Sequence, residues 1–211
     1  MAIEIKKPLI DKKRLKEVMV SEDSSIDLNE ASVNGEVLDG LKFEEFKIKE
    51  SIINDLSLQS TKIQDIQLEN SVLNNVSFAG ATLEHTYFER VTFSKCRLQG
   101  AQLMNGLIRE MTIEKSKCAD VSFRFAKIKN MLFTDCDLAN ADFSGASLEN
   151  VIFKNCSLVN SQFSQSKLNK VNFKDSTIDG IRIDKDSFGS ITVNTGQAIY
   201  LASLLGLNIE D

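Results

Sequence analysis

Residues 138–163 read LANADFSGASLENVIFKNCSLVNSQF, and every fifth position from Leu138 to Phe163 is Leu or Phe in strict alternation. Extended in both directions, the same register holds without a slip from Val33 to Phe188. Its thirty-two consecutive centres comprise 11 Phe, 11 Leu, 8 Ile, Val33 and Cys118. Only two of the thirteen phenylalanines, Phe46 and Phe125, fall elsewhere. A five-residue period is neither the 3.6 of an amphipathic helix nor the 2 of a strand, so a turn must recur in every unit. The chain is therefore a coiled ribbon.

Two residues before each centre runs a second inward column, and 18 of its 32 members are small, among them Ala31, Ser71, Ala81, Cys96, Ala101, Ala126, Ala141 and Ala146. Small side chains there let neighbouring backbone walls approach closely. Two residues after the centre, the column is rich in Gly and Asn, such as Gly40, Gly80, Gly100, Asn70, Asn75, Asn140 and Asn150. These residues tolerate positive φ and mark the corners. From Leu138 to Phe173 the centres alternate Leu and Phe. Four units per coil stack residues twenty apart, which sets Phe133, Phe153 and Phe173 on one wall and Phe123, Phe143 and Phe163 on the opposite one. A three-sided coil sets Phe on Leu and forfeits offset aromatic stacking. The cross-section reads as square on that ground, although the alternation itself requires only an even number of sides.

Units such as Ala141-Asp142-Phe143-Ser144-Gly145, Ala146-Ser147-Leu148-Glu149-Asn150 and Ala81-Thr82-Leu83 resemble the pentapeptide-repeat family, whose consensus is Ala-Asp/Asn-Leu-x-x. The resemblance covers about three quarters of the chain and rests on an unbroken register rather than on one motif. It implies an all-β fold, a right-handed quadrilateral β-helix, with the handedness supplied by the resemblance alone. Glu36, Leu41, Phe46, Leu56, Ile66, Ile181 and Asp186 depart from the small-residue column, so the first and last coils are expected to be distorted or covered.

The chain of 211 residues divides into an N-terminal cap segment (1–30), the repeats (31–190) and a C-terminal helix with its tail (191–211), all within one structural domain. Thirty-two units make about eight coils, roughly 38 Å of rod at the strand spacing of about 4.8 Å. The start of the chain lacks the apolar core of a signal peptide, and no stretch reaches membrane-spanning length. The expectation is a soluble, cytoplasmic protein with no membrane partner.

An uncovered terminal coil exposes unpaired β edges, so both ends need stoppers. Asp11 is placed to cap a short helix, Asp11 to Val20, with Leu15, Val18 and Met19 spaced to cover the first coil, and 21–25 makes a polar link. At the other end 196–205 is strongly apolar, and Gly206 is placed as a helix stop. That C-terminal capping helix carries more apolar residues than one covered face needs. Ile199, Leu201, Leu204, Leu205 and Leu207 are accordingly candidate contacts of a homodimer. Family members that protect type II topoisomerases dimerise through their C-terminal ends, and the tail 204–209 resembles such an ending.

The four cysteines, Cys96, Cys118, Cys136 and Cys156, fall on inward columns of one wall, with Cys136 and Cys156 stacked neighbours. They read as small hydrophobes: free, unreactive thiols with no Cys-x-x-Cys among them. No cofactor or metal is expected. His85, the lone histidine, sits at a corner as solvated decoration. Glu44-Glu45 and Asp135-x-Asp137 read as solvated surface, because a convex rod lacks the cleft that perturbs paired carboxylates. No phosphate-cradling glycine motif and no nucleophile signature occurs, so the chain is not expected to be an enzyme.

Imitation of DNA by gyrase-binding, quinolone-resistance members is the best-known activity the resemblance brings. Duplex DNA presents roughly 22 charges over about 38 Å. From Ala31 to Ser190 the chain carries 21 Asp and Glu against 19 Lys and Arg, a net of −2. Wall by wall, beginning with the one centred on Val33, the sums are 0, −3, −1 and +2. No wall resembles a phosphate backbone. Lys127, Lys129, Lys167 and Lys170 lie on the only net-positive wall, but Glu149 intervenes and the whole chain carries −5, so direct nucleic-acid binding is not expected.

What remains is a non-enzymatic protein-interaction module for an unknown protein partner, with a modulator of DNA gyrase or topoisomerase IV as the alternative. Outward apolar residues are where such a rod makes contact. Ile52, Val72, Leu132 and Ile152 share one outward row, with Thr92 and Thr112 between. Tyr87, Met104, Leu107 and Phe125 gather on adjacent coils near one corner. Phe125 is the sharper anomaly, an aromatic at a turn position beside Arg124, with the composition of a hot spot; packing under a neighbouring turn is the other account of it.

Overall fold

The computed structural model describes residues 5–20, 22–188 and 190–210. Its strands are all parallel, and from Ser25 to Ser147 each pairs with the chain one coil further on at an offset of twenty residues. Ser32 faces Ile52, Ile53 faces Leu73, Leu73 faces Phe93 and Phe133 faces Phe153. Four pentapeptides thus make one coil, about eight coils make the rod, and the cross-section is square. The walls are named here by their first centres: Val33, Leu38, Phe43 and Ile48. Continuous ladders run along the Ile48 and Val33 walls and round the corner they share, as in Lys127–Thr134. The Leu38 and Phe43 walls are joined mostly by isolated bridges, such as Val37 to Ser57 and Gln102 to Ser122.

The corner column behaves as its composition predicts. Among the described residues, every backbone of positive φ between Glu30 and Gly180 falls on it, whether Gly40 and Gly80 or Asn75, Asn140 and Phe125. Left-handed conformations favour Gly and Asn, but here Glu, Lys and Asp also adopt them, because the ladders on either side hold the turn in place. Side chains of this column join coil to coil: Asn75 Nδ2 donates to Asp55 Oδ1 at 2.6 Å and Asn140 Nδ2 to Asp120 Oδ1 at 3.1 Å.

The centres fill the interior. Phe123, Phe143 and Phe163 stack at centroid separations of 5.1 and 4.8 Å, and Phe133, Phe153 and Phe173 at 5.0 and 5.3 Å. The two stacks meet edge to face across the rod, with Phe143 and Phe153 at 5.9 Å. Phe46, Leu56 and Ile66, too large for the small column, are nonetheless fully buried. They leave the N-terminal coils undistorted, since Lys42 to Lys49 pairs with Lys62 to Glu69 at the constant offset. Irregularity gathers at the other end, where Asn169 faces Ser190 but Val171 faces Ile191.

The N-terminal end corrects one expectation. Residues 11–20 form no helix: a turn at Asp11 to Arg14 leads into β1 (Lys16–Glu17), which pairs with β3 (Ala31–Asn34) after the chain has passed through β2 (Ser25–Asn29). The physical reason is the open edge. A helix laid over the first coil leaves the donors and acceptors of β3 unpaired, whereas β1 satisfies them, with Lys16 N–H on the Glu30 carbonyl and Val18 N–H on that of Ser32. Burial then alternates: Val18 is half-buried, Met19 exposed and Val20 buried. The coils also begin earlier than position 31, because β2 pairs in register with residues 45–49 and buries Ile26 and Leu28.

The C-terminal end carries the expected helix, α1 (Thr195–Leu204). Asn194 and Gln197 form a reciprocal capping box. At the far end Gly206 at φ +80° closes the helix, its N–H on the Ser203 carbonyl and that of Leu207 on Ala202, a Schellman motif. Leu201 buries against the last coil, Gln197 Nε2 donates to the Phe173 and Ser176 carbonyls, and the Tyr200 hydroxyl accepts from Gly180 N–H.

Candidate interaction surfaces

Phe125 stands at the corner between the Phe43 and Ile48 walls with φ +58°, where it has no freedom to fold inward. Its ring lies along the rod over the next coil's Gly145, and a Cβ on that glycine falls 2.5 Å from Cε1 of the ring. The guanidinium of Arg124 sits 5.4 Å from the ring centroid, and its Nε is 3.7 Å from Asp142 Oδ2. Packing on a neighbouring turn and exposure are thus not exclusive at Phe125. It packs on a neighbouring turn and still leaves 51% of its surface to solvent. Gly145 is the residue beneath the ring that sequence reasoning missed, and the signal was present, since it follows Phe125 by twenty residues in the same column.

The other corner residues divide. Tyr87 and Leu107 face each other in register on the Ile48 wall, both half-buried. Met104 lies on the Phe43 wall in a shallow furrow with Glu84, His85, Gln102 and Asn105. Leu132 and Ile152 are in-register neighbours on the Val33 wall, at the end of the row of Ile52, Val72, Thr92 and Thr112. All six of that row are half-buried, a continuous flat strip of strand surface.

At the C-terminal end Ile199, Leu204, Leu205 and Leu207 are about half exposed, and Ile209 joins them. Leu201 does not. At 6% exposure it belongs to the cap's inner face, because the helix turns residues 197 and 201 onto the coil together. It is removed from the candidate dimer contacts.

A segment the sequence did not reveal runs outside the coils. Residues 5–10 pass along the corner shared by the Ile48 and Val33 walls: Lys6 N–H donates to Glu110 Oε2 at 2.9 Å and Leu9 N–H to Asn70 Oδ1 at 3.4 Å. Arg14 then pairs with Glu30 at 2.9 Å. Asn70 also accepts from Arg90 Nε at 2.7 Å, Arg90 pairs with Glu89, and Glu89 accepts from the Tyr87 hydroxyl. The phenol's hydrogen bond holds the Glu89 carboxyl below its ordinary range, while the same bond raises the Tyr87 hydroxyl.

All four thiols are free and buried. Burial pushes the Cys96 thiol up to about 12, with its Sγ 3.4 Å from the Leu73 carbonyl. Cys136 rises to about 12 and Cys156 further, chiefly through contact with the neighbouring thiol of the column. Such groups are thiols at neutral pH. His85 is exposed, with Nδ1 3.0 Å from Asp65 Oδ1. Among the described residues no three His, Cys, Asp or Glu side chains converge as metal ligands, and no helix is long and apolar enough to cross a membrane.

Family profiles agree with this geometry. A family profile described as a pentapeptide repeat region matches residues 114–183, and one described as pentapeptide repeats (8 copies) matches 71–106. No curated protein matches the chain. Among solved structures, QnrB1, a plasmid-mediated fluoroquinolone resistance protein in a trypsin-treated form, is 14% identical, covering 85% of this chain and 100% of its own at a TM-score of 0.49. HetL, a pentapeptide repeat protein involved in heterocyst differentiation regulation in the cyanobacterium Nostoc, is 14% identical over 76% of this chain and 86% of its own, at 0.32. A pentapeptide repeat protein of the Arabidopsis thaliana thylakoid lumen is 17% identical over 60% and 71%, at 0.25.

Proposed function

Because this chain belongs to the pentapeptide-repeat family, we propose that it works as a non-enzymatic protein-interaction module, a stiff rod that presents side chains from its corners. The observation that carries the reading is Phe125. A large aromatic is held half out of the surface by a strained backbone, a glycine beneath it and an arginine beside it. Ring and guanidinium are fixed before any partner arrives, which lowers the entropy that a contact must overcome. The exposed apolar residues of the C-terminal end, Ile199, Leu204, Leu205 and Leu207, support a contact between two copies of the rod, which joins them into one of about twice the length.

A photo-crosslinking phenylalanine analogue at position 125 tests the reading in cells. One discrete adduct, absent when the analogue replaces the exposed corner residue Lys95, supports it. No adduct, or the same adducts from both positions, sinks it. Mixed charge on every wall weighs against gyrase binding by DNA mimicry. Gyrase supercoiling, with and without a quinolone, should accordingly be unchanged by micromolar protein; inhibition or drug protection there installs the alternative instead.

A further inference from the structure

The corner shared by the Ile48 and Val33 walls is occupied by the chain's own residues 5–10, and the fit is one of spacing. Glu110 and Asn70 belong to one corner column, two coils apart, about 10 Å along the rod. Lys6 and Leu9, whose N–H groups reach them, are three residues apart, about 10 Å of extended chain. An extended peptide laid along the axis therefore brings amides three residues apart to acceptors two coils apart, running toward the earlier coils.

The acceptors are held in advance. Glu110 receives Asn130 Nδ2 on Oε1 at 2.6 Å, which leaves Oε2 for Lys6, and Asn130 is itself bonded by Asn150 at 3.0 Å. Arg90 Nε fixes the Asn70 carbonyl oxygen. The occupying segment is basic, with Lys6, Lys7, Lys12, Lys13 and Arg14, and it passes the carboxylates Glu110 and Glu30. It is held lightly: Leu9 projects with 72% of its surface exposed, and Lys6 and Leu9 make the hydrogen bonds to the column among the described residues of this segment.

We propose that this corner, at Asn70, Arg90, Glu110 and Asn130, is a peptide-binding track for an extended segment of a partner protein, followed by an arginine for Glu30, and that residues 5–14 are its resident competitor. The track reads backbone amides at a three-residue interval, and Glu30 adds an ion pair for one following cation, as Arg14 makes here, while Arg90, Arg109 and Lys129 balance the carboxylates Glu89 and Glu110 along the furrow. It lies on a different corner from Phe125 and does not depend on the role assigned to that residue. Access is governed by how often the resident segment lifts, since an intramolecular occupant competes at high effective concentration.

The test uses the full chain and a fluorescein-labelled peptide of residues 5–14, IKKPLIDKKR, followed by anisotropy. Lys6→Pro with Leu9→Pro removes both amide donors from the resident segment and leaves the track untouched. This double variant should bind the peptide at least tenfold more tightly than the parent chain, and adding Asn70→Ala with Glu110→Ala should erase the gain. In the parent chain, excess unlabelled peptide should speed hydrogen exchange at the Lys6 and Leu9 amides. The proposal is overturned if the double variant binds no better than the parent, if the gain survives loss of both acceptors, or if a scrambled peptide of the same composition binds equally. Unchanged exchange at both amides in saturating peptide overturns it as well.

Discussion

The ring of Phe125 rests on Gly145, one coil further along the same corner column, so that neither residue can be changed without consequence for the other. Gly145→Ala introduces a Cβ into the ring and places an L side chain at φ +69°. A loss of about 1–3 kcal/mol is expected, read from chemical denaturation followed by circular dichroism. In a Phe125→Ala background the same substitution should cost less than half as much. An equal cost in both backgrounds would show that ring and glycine are uncoupled.

Phe143 is fully buried between Phe123 and Phe163 and meets Phe133 and Phe153 edge to face. Phe143→Ala should cost about 3–5 kcal/mol, since the rod has no way to collapse around the cavity. Phe143→Leu keeps most of the volume and loses the ring contacts, for a cost of about 1–2 kcal/mol. Denaturation midpoints of the two variants check both values; a Phe143→Leu variant as stable as the parent would show that the stack contributes nothing beyond volume.

Leu201 and Leu204 lie one turn apart on α1 and should respond oppositely to a carboxylate. Leu201→Asp buries an unpaired acid against the last coil and should lower the melting temperature by several degrees or more. Leu204→Asp with Leu207→Asp touches exposed positions and should leave the melting temperature of the single rod nearly unchanged. Light scattering should then find the parent at twice the mass of that variant. A parent already monomeric at tens of micromolar removes the C-terminal contact.

All four thiols should ignore an aromatic disulfide reagent at pH 8 in the folded protein and react together in denaturant, because all four are buried, and burial raises Cys96, and contact with the Cys118 thiol raises Cys136, to about 12. Rapid labelling of any one of them in the native state contradicts the placement of the cysteine wall.

Glu89 is held below its ordinary value of 4.5 by the Tyr87 hydroxyl, so its folded value is depressed and the carboxylate stabilises the fold. That contribution is complete above the unfolded value and is lost as pH falls through the depressed folded value. Hydrogen exchange at Leu9, linked to Glu89 through Arg90 and Asn70, should therefore quicken relative to a random coil below about pH 4.5. Tyr87→Phe should move that onset to higher pH. Identical profiles for the two proteins break the link.

Legibility followed period. Phe133, Phe153 and Phe173 could be assigned to one wall before any coordinates, because twenty residues is an integral number of both units and coils. The corner column could be named for the same reason, down to the left-handed Asn140 and Gly80. Residues outside the repeat lack that period. Leu15, Val18 and Met19 have helical spacing, but the open edge of β3 was a stronger demand than a periodicity of three residues, and β1 answered it. Leu201 reads in sequence like Leu204 and Leu205, because a nearly all-apolar helix does not announce which side is covered.

By itself the sequence determined the coil: a five-residue register, an even number of units to a turn with four favoured by aromatic stacking, a dry aromatic interior and corners that need positive φ. Each of those is a local or nearest-neighbour property, repeated until chance is excluded, and a solenoid is built from nearest-neighbour contacts alone. Only the tertiary structure decided that residues 5–10 lie along one corner, that Asn70 and Glu110 receive their amides, that Phe125 lies on Gly145, and that α1 turns Leu201 inward. Those contacts join residues whose separation in the chain, up to 104 positions between Lys6 and Glu110, bears no relation to the repeat except at Phe125 and Gly145. No period encodes them, and they follow from the shape of the surface that the repeats have already made.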